Sequence, residues 1–399
     1  MRPNSAALRV GAFSLYFIEV TPRERKVKAI VSKLLNWYPK NARDLPWRRT
    51  TDPYSVFVSE IMLQQTQVKT VIPFWERWMR ELPTLHSLAK ARPQKIHKLW
   101  EGLGYYTRVR NMQKAAGLIV ERHGGEFPTA FQDVLALPGI GRYTAGAICS
   151  IVFNQPCPIL DGNVIRVLTR LFGIAGNPKE KAINAKLWDL AEQLVLAAAA
   201  HPIHAEQSSQ PKDPESSVPN RKSQIANRKS QCSHLNQSLM ELGALVCTAR
   251  GPHCELCPVA SHCSARRHGK VEVLPALPPR QRPTKRRFVA FIVQNKGRFL
   301  VRQRRPGIVN GNLWEFPNIE VPLDDGNPEQ AAVTVLGCSP QRIEHFCSIQ
   351  HSITRYRIRL DAIAIRSKKV ECSEGRWLNP QDLRRLPFTS AHKKILARL

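Results

Sequence analysis

From about residue 25 to 200, apolar residues recur every three or four positions, and no two-residue alternation interrupts them. The clearest stripe, mostly apolar, runs Phe57, Ile61, Gln64, Val68, Val71, Ile72, Trp75, Met79. Pro73 falls inside it and predicts two helices or a kinked one, because proline lacks the amide donor and crowds the preceding turn. Further helices are predicted over 95–101, 108–122, 130–136, 143–153, 164–172 and 181–199, with short Gly- or Pro-marked joints between them. The pattern returns over 234–247. Many short helices without a strand pattern predict an all-α domain.

Beyond residue 287 the period changes. Phe288–Val293 and Arg298–Arg302 flank a turn at Asn295-Lys296-Gly297, which predicts a hairpin. Tyr356–Ile365 alternates, with Tyr356, Ile358, Leu360, Ala362 and Ala364 on one face and Arg357, Arg359 and Asp361 on the other. A helix fits 381–399, so this second domain reads as α+β. Three segments break the patterns. Residues 1–24 read as an N-terminal extension. Residues 201–233 are rich in Ser, Pro, Gln and Asn and carry a direct repeat, Asn220-Arg-Lys-Ser-Gln224 and Asn227-Arg-Lys-Ser-Gln231, so they read as a flexible insertion with nothing to bury. Residues 271–287, with Pro275, Pro278, Pro279 and Pro283, read as a basic linker. The helical domain therefore spans 25–270 and the α+β domain 288–399.

Charge narrows the functional classes. The 399 residues hold 60 Lys and Arg against 31 Asp and Glu, a net charge of +29, which points to a polyanionic partner. Residues 264–310 alone hold 13 Lys or Arg and one acid, Glu272. A solvated face is the plainer reading of such a run, but this one spans the end of one domain, the linker and the start of the next. No apolar run approaches the roughly 18 residues of a membrane span, and Ala12–Ile18 is too short and poorly flanked for a signal peptide. Ten cysteines would suit a secreted scaffold, but four stand at metal-ligand spacing, so the expected setting is a reducing, cytoplasmic one.

Four constellations carry chemistry. Cys247-x6-Cys254-x2-Cys257-x5-Cys263 places four thiolates within 17 residues, which suits a [4Fe–4S] cluster better than a Cys₄ zinc site, where paired Cys-x2-Cys units are usual. Leu137-Pro-Gly139-Ile-Gly141-Arg-Tyr143-Thr144 precedes an Ala-rich helix. Its glycines permit a tight turn, and the amides at the next helix start suit one DNA phosphate, as in a helix-hairpin-helix; a plain helix joint is the alternative. Asp161-Gly-Asn163-Val164 opens a helix, and an ordinary N-cap would explain it. Glu60, within Ser59–Thr66, sits among apolar neighbours, where burial would raise its pKa into the range of a proton donor near neutrality; a solvated Glu is the alternative. Together the two acids make the couple that cleaves glycosidic bonds through an oxocarbenium-like state.

Taken with Leu45-Pro-Trp-Arg48, Trp100-Glu-Gly-Leu-Gly-Tyr105-Tyr106 and Asn236-Gln237 through Cys247, these motifs resemble the MutY family of adenine DNA glycosylases, within the endonuclease III superfamily. Residues 288–399, with Leu313-Trp-Glu-Phe-Pro317, resemble that family's Nudix-like domain. The resemblance implies excision of adenine opposite 8-oxoguanine or guanine from double-stranded DNA, by a monomer that flips the nucleotide out of the stack. It makes Glu60 the general acid, Asp161 the carboxylate that stabilises the sugar cation, and Tyr143 and Asn163 the residues that hold them. Arg48 and Gln237 would contact the adenine. Gln65, Thr66 and Tyr105 would fill or wedge the strand beside 8-oxoguanine. Gly139 and Gly141 would hold a phosphate, and Thr354 would read the lesion. Cys247, Cys254, Cys257 and Cys263 would carry the cluster.

Two rival activities are disfavoured, the first by Tyr143 and by the C-terminal domain, the second by the presence of both Glu60 and Asp161. The bifunctional pyrimidine glycosylase/lyases of the superfamily carry a Lys where Tyr143 stands here, and a phenol cannot form their Schiff base. A catalytically silent iron–sulfur DNA-binding module would lack one carboxylate, and both are present. Nudix hydrolases hold metal on an Arg-Glu-x-x-Glu-Glu run, whereas Pro328–Val335 has one acid, so this domain is expected to bind and not hydrolyse. The family's lesion loop often reads Phe-Ser-His, and here it reads Ile353-Thr354-Arg355.

Overall fold

The computed structural model describes residues 21–201, 231–279, 281–324, 326–366, 370, 372 and 375–399. Its first part is helical: α1 (Pro22–Asn41), α2 (Pro53–Leu63), α3 (Val68–Glu81), α4 (Leu85–Ala89), α5 (Pro93–Trp100), α6 (Thr107–His123), α7 (Phe131–Leu135), α8 (Arg142–Phe153), α9 (Gly162–Phe172), α10 (Lys181–Ala199), α11 (Gln231–Leu245) and α12 (Ser264–Arg267). Two boundaries differ from the sequence pattern. A capping box between Thr21 and Glu24 starts α1 at Pro22, inside the segment read as an extension. Likewise α11 begins at Gln231 and buries Cys232 and Ser233, inside the segment read as an insertion. Most of the expected extension and insertion, residues 1–20 and 202–230, lies outside the described residues.

The long apolar stripe does split in two, but at Gln64–Gln67 and not at Pro73. Gln65 takes a left-handed φ of +57°. The Arg108 guanidinium donates to the carbonyls of Ile61 (3.0 Å), Met62 (2.9 Å) and Gln64 (2.5 Å), which a continuing helix would have used itself. Pro73 is tolerated within α3, where the carbonyl it leaves unpaired, that of Lys69, belongs to an exposed residue.

The helices build two cores that meet at α8. One gathers Phe57, Trp78, Trp100 and Met112; the other gathers Ile30, Leu34, Val167, Leu187 and Leu235. Ile148 of α8 packs in the first, while Ala147 and Tyr143 face the second. Tyr54 through Met62 of α2 are all buried, so every side of that helix touches protein.

The C-terminal part is a mixed sheet of β1 (Thr284–Asn295), β2 (Arg298–Gln303), β3 (Trp314–Glu315), β4 (Asn318–Val321), β5 (Arg342–Ile353), β6 (Tyr356–Arg366) and β7 (Gly375–Leu378), in the order β3-β2-β1-β6-β5, with β4 on β1 and β7 on β2. The β1–β2 hairpin turns at Lys296-Gly297, as the pattern predicts, but β1 reaches back to Thr284 because it pairs in parallel with β6 from Tyr356 onward. The alternation of β6 is real, yet its second face, exposed at Arg357 and Arg359, is buried from Asp361 onward. Leu360 and Ala362 pack under α14 (Pro380–Arg385) and α15 (Ser390–Leu396), while Ile363 and Ile365 pack under α13 (Pro328–Leu336). The expected helix over 381–399 is these two short helices, parted at Pro387 where Phe388 bridges to Trp314. An all-α domain followed by an α+β domain is the architecture the two periods predicted. Among the described residues no helix is long and apolar enough to cross a membrane.

The domains touch. Leu313 belongs to the first helical core, Arg110 donates to the Gly311 carbonyl (3.4 Å), and Lys98 donates to the Leu386 carbonyl (3.0 Å).

Candidate active site

Glu60 is nearly enclosed: α2 is buried all round, and the residue is 5% exposed. Its Oε2 accepts the Tyr143 hydroxyl at 3.1 Å. Burial chiefly raises its pKa, and the Asp161 charge raises it further, against the Tyr143 hydrogen bond and Arg48, which lower it; the balance is about 7. Asp161 caps α9, accepting the Val164 N–H at 2.7 Å on Oδ1 and the Asn163 amide at 3.1 Å on Oδ2. Burial raises its pKa as well, opposed by those donors and by Arg166. Asp161 is thus the helix cap that the sequence allowed, and the cap fixes its carboxylate. Burial thus raises both acids, Glu60 to about 7, while the Val164 and Asn163 donors oppose the rise at Asp161.

Asn163 is itself held. Its Oδ1 accepts from Arg166 at 2.8 Å, and Arg166 also donates to the Gly243 carbonyl (2.6 Å) and the Cys247 carbonyl (2.7 Å). At Gly243, α11 comes so close that an added Cβ would stand 2.7 Å from Asn163 Cβ. We expect G243A to push Asn163 off Asp161 and slow base release about 100-fold, a cost typical of a misplacement near 1 Å. Circular dichroism should show an intact fold beside the slow single-turnover rate.

Arg48 and Gln237 come together through Tyr38, whose hydroxyl donates to Gln237 Oε1 at 2.8 Å and whose ring lies 5.8 Å from the Arg48 guanidinium. Arg48 is engaged with Glu241 (2.8 Å), which also pairs with Arg43. These arginines hold Glu241 down at about pKa 2 despite its burial. Gln65, Thr66 and Tyr105 also form a group. Arg108 ties the carbonyls of Gln64, Leu103 and Gly104 and the Thr66 hydroxyl into one knot, and Tyr105 projects from it at φ +48°, 46% exposed. Gly139 takes φ +80° in the turn before α8, and Gly141 caps α8 without a side-chain acceptor, so the first amides of that helix are open to an anion. Thr354 stands apart, at the exposed tip of the β5–β6 hairpin with φ +51°.

The four expected ligands Cys247, Cys254, Cys257 and Cys263 line one cavity with Val167, Leu171 and Arg170. The buried Arg170 donates to Cys247 Sγ at 3.4 Å and to the Thr248 and Leu274 carbonyls. Among the described residues no three His, Cys, Asp or Glu converge tightly enough for a single ion. The four sulfurs share that cavity with the Arg170 guanidinium, a donor set suited to a group bound through thiolates.

Sequence reasoning missed Tyr38, Glu241, Arg108 and Arg166. Glu241 follows Gln237 by four positions and so shares its helix face, a signal that was available. Arg108 and Arg166 also reach distant backbone carbonyls, of Ile61, Met62 and Gln64 and of Gly243 and Cys247, and those contacts leave no mark in the sequence.

Residues 58–193 match the HhH-GPD superfamily of base excision DNA repair proteins, and residues 288–398 match the NUDIX domain family. The adenine DNA glycosylase of Mus musculus is 32% identical over 92% of this chain and 77% of its own length. That of Homo sapiens is 32% identical over 93% and 74%, and that of Buchnera aphidicola 33% identical over 92% and 97%. Among solved structures, a thermostable thymine-DNA glycosylase aligns over 62% of this chain and all of its own, with a TM-score of 0.50 and 26% identity. With a buried Glu60 behind a helix-hairpin-helix turn, and a third of its residues shared with these relatives across nearly its whole length, the chain belongs to the adenine DNA glycosylase family of base excision repair.

Proposed function

We propose that this enzyme releases adenine mispaired with 8-oxoguanine or guanine, with Glu60 as general acid and Asp161 as the carboxylate that meets the sugar cation. The observation that carries this is the pairing of a buried Glu60, half protonated near pH 7, with a capped Asp161 beside it. The adenosine leaves the stack, because its glycosidic bond is out of reach within the duplex. Glu60 gives its proton to adenine N7, and the N9–C1′ bond breaks with its electron pair staying on the base, which departs neutral. Asp161 stabilises the positive charge on the sugar and traps C1′ as an ester. Glu60, now a carboxylate, takes a proton from the water that displaces Asp161 from C1′. Tyr143 and Asn163 hold the two acids, and no amine at position 143 offers a Schiff base, so strand cleavage is not part of the reaction.

Arg48 and Gln237 would meet the flipped adenine, and Tyr105 with Gln65 and Thr66 would fill the gap in the stack. Cys247, Cys254, Cys257 and Cys263 would hold a [4Fe–4S] cluster. It would fasten the loop 247–263, and through the Arg166 bond to the Cys247 carbonyl it would brace Asn163. The C-terminal domain would read the base opposite the adenine through the Thr354 hydroxyl. Its helix α13 carries Glu329 as its one acid, too few for Nudix metal chemistry.

Duplexes bearing A·8-oxoguanine, A·G or an oxidised pyrimidine opposite purine, incubated with enzyme and then with alkali, test this directly. Cuts at adenine in the first two, absent before alkali, are the expected result. Cutting of the pyrimidine duplex alone would overturn it. In the same assay T354A should lose about tenfold in preference for 8-oxoguanine over guanine, near the 1–3 kcal/mol that one base-reading contact supplies.

A further inference from the structure

Glu101 ends α5 where the helical domain meets the C-terminal domain, and its side chain is only 4% exposed. Oε1 accepts the backbone N–H of Phe388 at 2.8 Å. Oε2 takes the ammonium groups of Lys98 at 2.9 Å and Lys393 at 2.7 Å. Lys98 donates onward to the Leu386 carbonyl. One buried carboxylate of the helical domain thus grips Phe388 and Lys393 of the other domain directly, by two charge-assisted hydrogen bonds, and Leu386 through Lys98.

The residues that follow make this grip consequential. Gly102, Gly104 and Tyr105 all take left-handed φ values, +116°, +72° and +48°, so the chain from Glu101 to Tyr105 is a tight loop with little slack. Its far side is tied by Arg108, which holds Leu103 and Gly104 together with Ile61, Met62 and Gln64 of the segment that carries Glu60. The Tyr105 loop is therefore pinned at one end by the C-terminal domain and at the other by the C-terminal end of α2.

We propose that Glu101 is a positioning residue through which the C-terminal domain sets the Tyr105 loop, and so a determinant of how strongly the base opposite adenine governs excision. This rests on Tyr105 as the strand wedge and the C-terminal domain as the reader of that base. A displacement of 386–393 is carried through Glu101 to the wedge, and with Glu101 gone the Phe388 amide loses its buried acceptor and the two domains lose register.

The test uses the full chain and the variants E101A and K393A, with two readouts. One is amide hydrogen exchange without DNA. The other is the ratio of single-turnover rates on A·8-oxoguanine and A·G duplexes. E101A should speed exchange in both 102–108 and 386–393 and lower the rate ratio about tenfold, a typical coupling between sites, while the A·G rate falls much less. K393A removes one partner on a half-exposed side chain, so it should shift both readouts the same way by less, and it serves if E101A folds poorly. A ratio unchanged in both variants overturns the proposal, as do two rates falling by one common factor or exchange that quickens in only one segment. If the unaltered chain released adenine from neither duplex, the adenine reading would fall, while the exchange comparison would still decide the coupling.

Discussion

Replacing Asp161 by Asn should slow base release on the order of 10³-fold while leaving duplex binding nearly intact, because the lost charge acts only where a sugar cation develops. The geometry makes the substitution worse than neutral. Asp161 accepts on both oxygens, from the Val164 N–H and from Asn163 Nδ2. The new amide can keep the first bond, but its NH₂ then faces the NH₂ of Asn163. Asn163 cannot turn to relieve this, because Arg166 holds its Oδ1. Stability should move little. Burial raises the Asp161 pKa, so removing the charge recovers some folding free energy at neutral pH, against the donor–donor contact. A net change of about 1 kcal/mol corresponds to a few degrees in Tm. Single-turnover excision, gel-shift binding and thermal melts of D161N and the parent enzyme separate these effects. Release at a rate near the parent's would remove Asp161 from the chemistry.

The second large effect concerns Glu60 and pH. With a pKa of about 7, the parent enzyme should lose single-turnover rate as pH rises through 7, since the general acid must be protonated to act. E60Q should be slower by roughly 10²–10⁴-fold, the usual share of a general acid, and should lose that limb of the profile. The stability consequence has a definite sign. The folded pKa lies above the unfolded value near 4.5, so Glu60 is carried without penalty below pH 4.5, and stability is lost as pH rises towards and through 7. E60Q should therefore melt higher than the parent at pH 8, by an amount on the order of 3 kcal/mol at the limit, and the gap should narrow by pH 5 and close below about 4.5. A parent enzyme whose rate is flat from pH 6 to 8 would mean that another group supplies the proton.

Much of this was legible because local rules carry far. Helical period, glycine-marked joints and the change to alternation located both architectures. Cysteine spacing pointed to a loop whose four sulfurs line one cavity, and an acid among apolar neighbours in Ser59–Thr66 pointed to the buried Glu60. What escaped depends on distant partners. The stripe from Phe57 to Met79 breaks at Gln64–Gln67 because Arg108, some 40 residues later, takes the carbonyls that end α2. Proline at position 73 was the visible breaker and had no such effect. The second face of β6 looked solvent-bound because of Arg357, Arg359 and Asp361. Asp361 is in fact buried, held by Arg287, Arg359 and Ser348 beneath a covered sheet. Glu101, read only as part of a motif, is the carboxylate on which the two domains meet.

The all-round burial of α2 carries a lesson for anyone altering this enzyme. On most helices a solvent-facing side offers room for substitutions that raise durability without touching turnover. Here Tyr54 through Met62 have no such side. Any change of volume along this helix shifts the backbone beneath Glu60, so durability and turnover are selected together there. Variation that separates them has to be sought on helices with an exposed flank, such as α10, whose Leu196 is half exposed.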